Sequence, residues 1–291
     1  MTDITTVGVD LAKSVFQIHG VDAEGAIVVR RQLRRSQMLD VFQRLAPCLI
    51  GMEPCAGAHH WARELGTFGH DVRLMPPSYV KPYIRRGQTD QADAEAICKA
   101  VTRPSMRFVA VKSEETQALL MTHKARAFRV RQLTQVTNAI RAHLAEFGIV
   151  VPKGVHNVGR LLEAGERADL PTTARMPLRL LADQVVETRN RIDALTKNIR
   201  REAEASGAAK RLQTIPGIGP IPATALAATL PDTTGFRRSR ALSGGLGLTP
   251  KPHSSGGKQK LGRISKMGNR YLRRRLYLGA SCRRHASGVT A

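Results

Sequence analysis

TTVGVDLA, residues 5–12, is an apolar run with a carboxylate set near its end, and its reading as a buried strand anchors the fold. SVFQIHGVD (14–22) and GAIVVRRQL (25–33) follow as a hairpin of two further strands. SQMLDVFQRLA (36–46) has the pattern of a helix, and CLIGME (48–53) is a second apolar core strand ending on an acid. AGAHHWARELGTFGH (56–70) predicts a helix closed near a glycine, DVRLMPP (71–77) a strand stopped by prolines, and QADAEAICKAV (91–101) another helix. Strand, strand, strand, helix, strand, helix, strand is the order of an α/β layer with a mixed sheet.

The acids of this region stand where acids are unusual. Asp10 closes the first apolar strand and Glu53 the fourth, and a buried charge is costly unless paired or bound to metal. Asp90 and Asp93, three apart at the start of a helix, project from one face. Four acidic groups on three elements are the equipment for holding hard divalent cations such as Mg²⁺ or Mn²⁺ through oxygen. Each also has a plain structural reading: Asp10 as a strand-end turn residue, Glu53 as a partner for an arginine, Asp90 as a helix N-cap, Asp93 as a first-turn acid. Glu64, Asp71 and Glu95 are assigned to surface or helix positions.

From about Glu115 the texture changes. Leu133, Val136, Ile140, Leu144 and Phe147 make one apolar stripe on a long helix. Leu178, Leu181, Val185, Ile192, Leu195 and Ile199 hold heptad-like spacing on another, interrupted by Thr188. The pair predicts an antiparallel helical arm or coiled coil, with an ordinary helical bundle equally compatible with the spacing. LQTIPGIGPIPATAL (212–226) then reads as two short helices joined by a glycine-rich turn. Its backbone N–H groups at Gly217 and Gly219 could meet phosphates, as in a helix-hairpin-helix.

The charge balance is one-sided: 46 Lys and Arg against 23 Asp and Glu give a formal charge of +23. Such a field draws in polyanions, of which nucleic acid is the commonest. From Arg237 to Ala291 there are fourteen Lys and Arg and no acid, which reads as a polyanion-binding surface. Lys258, Lys260, Arg263, Lys266, Arg270, Arg273, Arg274 and Arg275 are its candidate contacts, and KMGNRYLRRRL (266–276) is a turn into a basic helix with Tyr271, Leu272, Leu276 and Leu278 available for packing. Aromatics are few, which argues against base stacking as the main mode of binding. No apolar stretch is long enough to span a membrane, and the N-terminus lacks a signal-peptide pattern. Cys48, Cys55, Cys98 and Cys282 show neither disulfide-scaffold nor zinc spacing, so a reducing cytoplasm is expected.

Within the tail, Ser254 and Ser255 precede Gly256 and Gly257, a turn that leaves a hydroxyl beside Lys258 and Lys260. A serine can attack a phosphodiester if its proton is removed and cations stabilise the developing charge. The same residues also suit a flexible phosphate-touching loop, and His253 is a candidate base.

GVDLAK (8–13), GMEPCAG (51–57), TDQADA (89–94), IPGIGP (215–220) and GLTPKPHSSGGKQKLGRISKMGNRYLRR (247–274) together resemble the insertion-sequence transposases of the IS110 family, most of all its IS1111 branch. Piv-type DNA invertases share the design. The resemblance covers almost the whole chain in the family's order. It implies a RuvC-like, RNase H-like catalytic domain at 1–112, a helical coiled-coil arm at 113–206, and a mostly α C-terminal transposase domain at 207–291. Carried over by motif, Asp10, Glu53, Asp90 and Asp93 match the four metal-binding acids. Ser255 matches the nucleophilic serine, with Ser254 the alternative register. The resemblance also implies recombination through a 5′ phosphoserine link to DNA, a noncoding guide RNA pairing with donor and target DNA, and dimers joining into a tetramer, in the bacterial cytoplasm at the nucleoid. The family usually continues with another helical segment where this chain stops at Ala291, so a C-terminally truncated copy is an expectation. The rival readings are a RuvC-like nuclease in which water attacks and a non-catalytic nucleic-acid-binding protein.

Overall fold

The computed structural model describes residues 3–84, 89–230, 233, 236 and 238–286; Arg237 and the last five residues of the basic tail lie outside them. The chain divides into two compact units, Met1–Ser113 and Glu114–Leu230 continued by Phe236–Ala291.

The first unit is the expected α/β layer. Its elements are β1 (Thr6–Leu11), β2 (Val15–Val21), β3 (Ile27–Arg34), α1 (Met38–Gln43), β4 (Leu49–Met52), α2 (Ala58–Thr67), β5 (Asp71–Leu74), the single turn α3 (Pro77–Val80) and α4 (Asp90–Val101). The sheet order is β3-β2-β1-β4-β5. β1, β2 and β3 are antiparallel neighbours, whereas β4 and β5 run parallel to β1. Alternation along the strands assigns the faces. Val7, Val9, Ile50 and Met52 are fully buried on one side, in a cluster with Met38 and Phe42 of α1 and Trp61 and Leu65 of α2. Each such side chain contributes roughly 1.5–3 kcal/mol by leaving water.

The opposite face carries glycines. Gly8 and Gly51 are register partners. A Cβ on Gly8 would lie 2.1 Å from the Ala94 carbonyl oxygen, and one on Gly51 would lie 2.9 Å from the Val101 Cβ. The two bare positions form a trough into which α4 settles, with Ala96, Ile97, Ala100 and Val101 buried beside Met75 and Val80.

The second unit contains α5 (Glu114–Glu146), α6 (Val158–Arg167), α7 (Thr172–Ala205), α8 (Gly207–Gln213), α9 (Pro220–Thr229), α10 (Ser239–Gly245), the short strands β6 (Pro250–Pro252) and β7 (Leu261–Ile264), and α11 (Arg270–Ala286). α5 and α7 run antiparallel: Arg126 Nε donates to Thr196 Oγ1 at 2.7 Å, while Ile140 and Leu144 cluster with Leu178 and Val185 at the other end. That end is not a bare two-helix arm, because α6 inserts Val158 and Leu161 into the same cluster. Phe147, expected in the stripe, follows the end of α5 and is 46% exposed. Thr188, expected to interrupt the seam, lies inside it at 3% exposure, small enough to pack. α9 packs against both long helices, so the helices expected as an arm and those expected as a C-terminal domain fall within one compact unit.

The tail, expected to be mostly α, carries two short strands among its helices. β6 and β7 pair antiparallel as a small ribbon. α11 is then started by Asn269, whose Oδ1 accepts from the N–H groups of Tyr271 and Leu272. Leu272 is fully buried and Tyr271 and Leu276 pack beside it, but Leu278 is 42% exposed.

Candidate active site and nucleic-acid interface

The carboxylates are brought to one end of the sheet by the glycine trough. Side chains two apart on a strand share a face, so Asp10 follows Gly8, and Glu53 follows Gly51, onto the α4 side. Thr89 caps α4, its side chain accepting from the Ala92 N–H, which leaves Asp90 and Asp93 in the first turn. Asp90 is therefore not the N-cap, one of its structural readings.

The four acids sense one another. Burial, then the charges of Asp93 and Asp90, lift the Asp10 carboxyl to about 6. Burial, then Asp10 and Asp93, push Glu53 upward, with Lys81 opposing. Burial and Asp90 raise Asp93. Asp93 Oδ1 is buried with no hydrogen-bond partner. Glu53 forms no ion pair with an arginine among the described residues, so that structural reading finds no support. Among the described residues no three acid, histidine or cysteine side chains gather closely enough to cage a metal ion as they stand. An orphaned buried carboxylate oxygen amid mutually repelling acids nevertheless fits a hard divalent cation, which would supply the missing partner. The other acids are accounted for: Glu95 pairs with Arg30 and Lys99, Asp71 with Arg73, and Glu64 with His60.

The serines sit on the ribbon joining β6 to β7. Ser255 and Lys258 bridge across the tip, with the Lys258 N–H donating to the Ser255 carbonyl at 3.1 Å. Gly256 and Gly257 between them have φ of 55° and 77°, the left-handed pair a tight hairpin turn requires. Here the doublet separates. Ser254 Oγ accepts from the Lys260 N–H at 3.1 Å and braces the ribbon. The exposed Ser255 hydroxyl makes no hydrogen bond among the described residues. His253 makes no hydrogen bond to Ser255 among the described residues, and its ring lies across Gly262, where a Cβ would meet it at 2.7 Å.

The basic candidates divide too. Lys258, Lys260, Arg263, Lys266, Arg270 and Arg274 are exposed. Arg273 Nη1 donates to the carbonyls of Leu246 and Met267, both at 3.0 Å, and so pins the start of α11 to the α10 turn. Arg275 is half-buried, its guanidinium carbon 5.0 Å from the centroid of the Tyr271 ring. Gly217 faces α11, where a Cβ would lie 2.7 Å from the Gly279 carbonyl oxygen, whereas Gly219 has open space around it. Sequence reading missed both contacts because Gly279 is distant in the chain from Gly217, and Leu246 from Arg273.

A mixed sheet with acids at one end, and a basic helical unit presenting a serine hairpin, define a protein that handles nucleic acid strands. Residues 7–149 match the DEDD transposase domain of the IS110 group, described as Transposase, and residues 209–290 match the Transposase IS116/IS110/IS902 family. The chain is 46% identical over 282 residues to the probable family 20 transposase of Pseudomonas aeruginosa, covering 96% of this chain and 83% of that protein. It is 37% identical over 276 residues to the transposase for insertion sequence element IS1328 of Yersinia enterocolitica, covering 95% and 83%. It is 36% identical over 294 residues to the transposase for IS1111A of Coxiella burnetii, covering 100% and 81%. The chain belongs to the IS110/IS116/IS902 family of insertion-sequence transposases. It is thus a DNA-recombining enzyme, and its DEDD domain points to use of a divalent metal. Among the described residues no helix is long and apolar enough to cross a membrane.

Proposed function

We propose that this transposase cuts and rejoins DNA through Ser255, working with Asp10, Glu53, Asp90 and Asp93 on the same phosphodiester. Ser255 Oγ attacks phosphorus, the bond to the 3′ oxygen breaks, and a 5′ phosphoserine link remains while the hydroxyl proton passes to solvent or the departing 3′ oxygen. The second strand's 3′ hydroxyl then reverses the step and restores the serine. The four acids would hold Mg²⁺ or Mn²⁺, which when bound supplies positive charge against the phosphoryl oxygens. Lys258 and Lys260, flanking the turn, orient the phosphate and offset its charge.

The observation that supports this reading most is the division between the serines: Ser254 is occupied in bracing the ribbon, and Ser255 projects an unengaged hydroxyl at an exposed tip. The working division is 1–112 for metal and phosphate chemistry, 113–206 as a helical arm and 207–291 for the serine and strand binding. A noncoding RNA pairing with donor and target DNA would choose the site, dimers joining into a tetramer would bring two duplexes together, and the work would be done at the bacterial nucleoid. Gly219 and the exposed Lys and Arg residues hold the backbone of the bound strands.

The test is to incubate the chain with guide RNA, Mg²⁺ and labelled DNA, then denature. A protein–DNA adduct that disappears in Ser255→Ala and persists in Ser254→Ala is expected. Metal-dependent cutting with no adduct would sink the serine mechanism and leave water as the nucleophile.

A further inference from the structure

The helical unit buries a polar centre that the serine and carboxylate chemistry does not use. His123 of α5 is 1% exposed. Its Nε2 lies 3.0 Å from Thr224 Oγ1 on α9, and its Nδ1 lies 3.1 Å from the Tyr271 hydroxyl on α11. Thr224 Oγ1 donates its own hydrogen to the Pro220 carbonyl at 2.8 Å. It therefore accepts from His123, so Nε2 carries the hydrogen and Nδ1 accepts from Tyr271. Burial, then the charges of Arg275 and Arg126, pull His123 down to about 4, which keeps the ring neutral.

Among the described residues, no acid forms an ion pair with the cations around this neutral core. Arg126, one turn beyond His123 on α5, spends its Nε on Thr196. Arg275, one turn beyond Tyr271 on α11, stacks on that ring and keeps a buried Nε with no partner. Burial and then the Arg275 charge lower Arg126, and Arg200, one turn beyond Thr196 on α7, adds to the repulsion against the partial relief of Asp193. Arg126, Arg200 and Arg275 form no ion pair among the described residues. Half-buried guanidinium groups that repel each other are costly without an anion, and their planar forks match the oxygens of a phosphate.

We propose that Arg126 and Arg275 form an anion site that grips a phosphodiester of bound nucleic acid, held in shape by the His123–Tyr271–Thr224 hydrogen-bond chain. The phosphate bridges α5 and α11, and so stiffens the helix that follows the serine ribbon. This rests on the chain's acting on nucleic acid, but it does not need the serine chemistry.

The test uses the full chain carrying Ser255→Ala, so that strand cutting does not enter. Two quantities are read: the slope of log affinity against log salt for a short DNA duplex, and the thermal midpoint in phosphate against chloride at equal ionic strength. In the pair Arg126→Gln with Arg275→Gln the slope should fall by about one unit, for the one phosphate whose contact is lost. The extra stabilisation by phosphate over chloride should vanish with it. An unchanged slope, or the same phosphate shift in the parent and the pair, overturns the site. If the glutamine pair does not fold, Arg126→Lys with Arg275→Lys keeps the charge and loses the fork. Its phosphate shift should fall by at least half, and a full shift overturns the site. A chain that binds no DNA at all defeats the functional reading instead, while the phosphate shift still reports on the arginines.

Discussion

Gly8 and Gly51 stand side by side on parallel strands, and each precedes an acid by two residues, Asp10 in one case and Glu53 in the other. The pairing makes one spatial requirement serve two ends. The bare glycines admit α4 to the sheet, and the same face, one pleat further on, presents the carboxylates to the first turn of that helix.

Adding a single methyl group at that contact should therefore act on the acids. Gly8→Ala would drive a Cβ to 2.1 Å from a backbone carbonyl oxygen, so α4 must move. A destabilisation of about 1–3 kcal/mol is expected from overpacking. Strand cleavage should fall much further than DNA binding, which on the proposed function rests largely on the basic second unit. Equal loss of cleavage and binding, followed by filter binding and gel assays, would mean that the substitution simply unfolds the chain.

The raised carboxyls give a pH dependence with a definite sign. Asp10 binds its proton more tightly when folded, so its contribution to stability is full below about 3.8 and is lost as the pH rises towards about 6. Glu53 and Asp93 shift in the same direction. Without metal, the thermal midpoint should decline across this window. Mn²⁺ should restore it at neutral pH and do little in acid. Asp10→Asn should raise the metal-free midpoint at neutral pH and shrink the response to Mn²⁺; an undiminished response in that variant removes Asp10 from the metal site.

Two adjacent arginines, Arg273 and Arg274, should behave differently. Arg273→Ala breaks two hydrogen bonds to carbonyls and should lower stability by about 2 kcal/mol. Arg274→Ala, on an exposed position, should leave the melting midpoint in place and lower the salt slope of DNA binding by about one unit. Calorimetry and salt titration read the two effects separately, and a reversal of the pattern would show that α11 is oriented otherwise.

Ser254→Ala removes the acceptor for the Lys260 N–H, an exposed bond whose loss should cost about 0.5–1.5 kcal/mol and loosen the ribbon. Recombination should slow several-fold without being lost. Faster hydrogen exchange confined to the Lys260 amide is the signature; an unaltered rate there excludes the bracing role.

What the sequence disclosed follows from the range of each signal. Apolar runs ending on Asp10 and Glu53 are local, and they locate β1 and β4 together with the acids. Asp90 and Asp93 declare a helix start, though the cap itself is Thr89, one residue earlier. The trough was hidden because Gly8 and Gly51 become neighbours only through the sheet register. α6 is illegible in the local pattern because glycines within VGRLLEAGER and prolines on either side of it break up the apolar face that buries Val158 and Leu161. The β6–β7 ribbon was unreadable from a segment without alternating β-branched residues; its pairing rests on the glycine turn and the Ser254 brace. The separate fates of Arg273 and Arg274 depend on carbonyls 27 and 6 residues away from Arg273.

The turn at Gly256 and Gly257 has a further consequence, for chirality. A Cβ at either position would meet nothing within 4 Å, yet both residues hold φ values that L side chains rarely adopt. What the tip demands is handedness rather than smallness. A mirror-image alanine installed there by chemical ligation should keep Ser255 where it is, while ordinary alanine twists the ribbon. The bareness of the tip therefore sets no limit on what it can carry: a bulky D-residue beside the serine could shield the hydroxyl from DNA without disturbing the backbone that presents it.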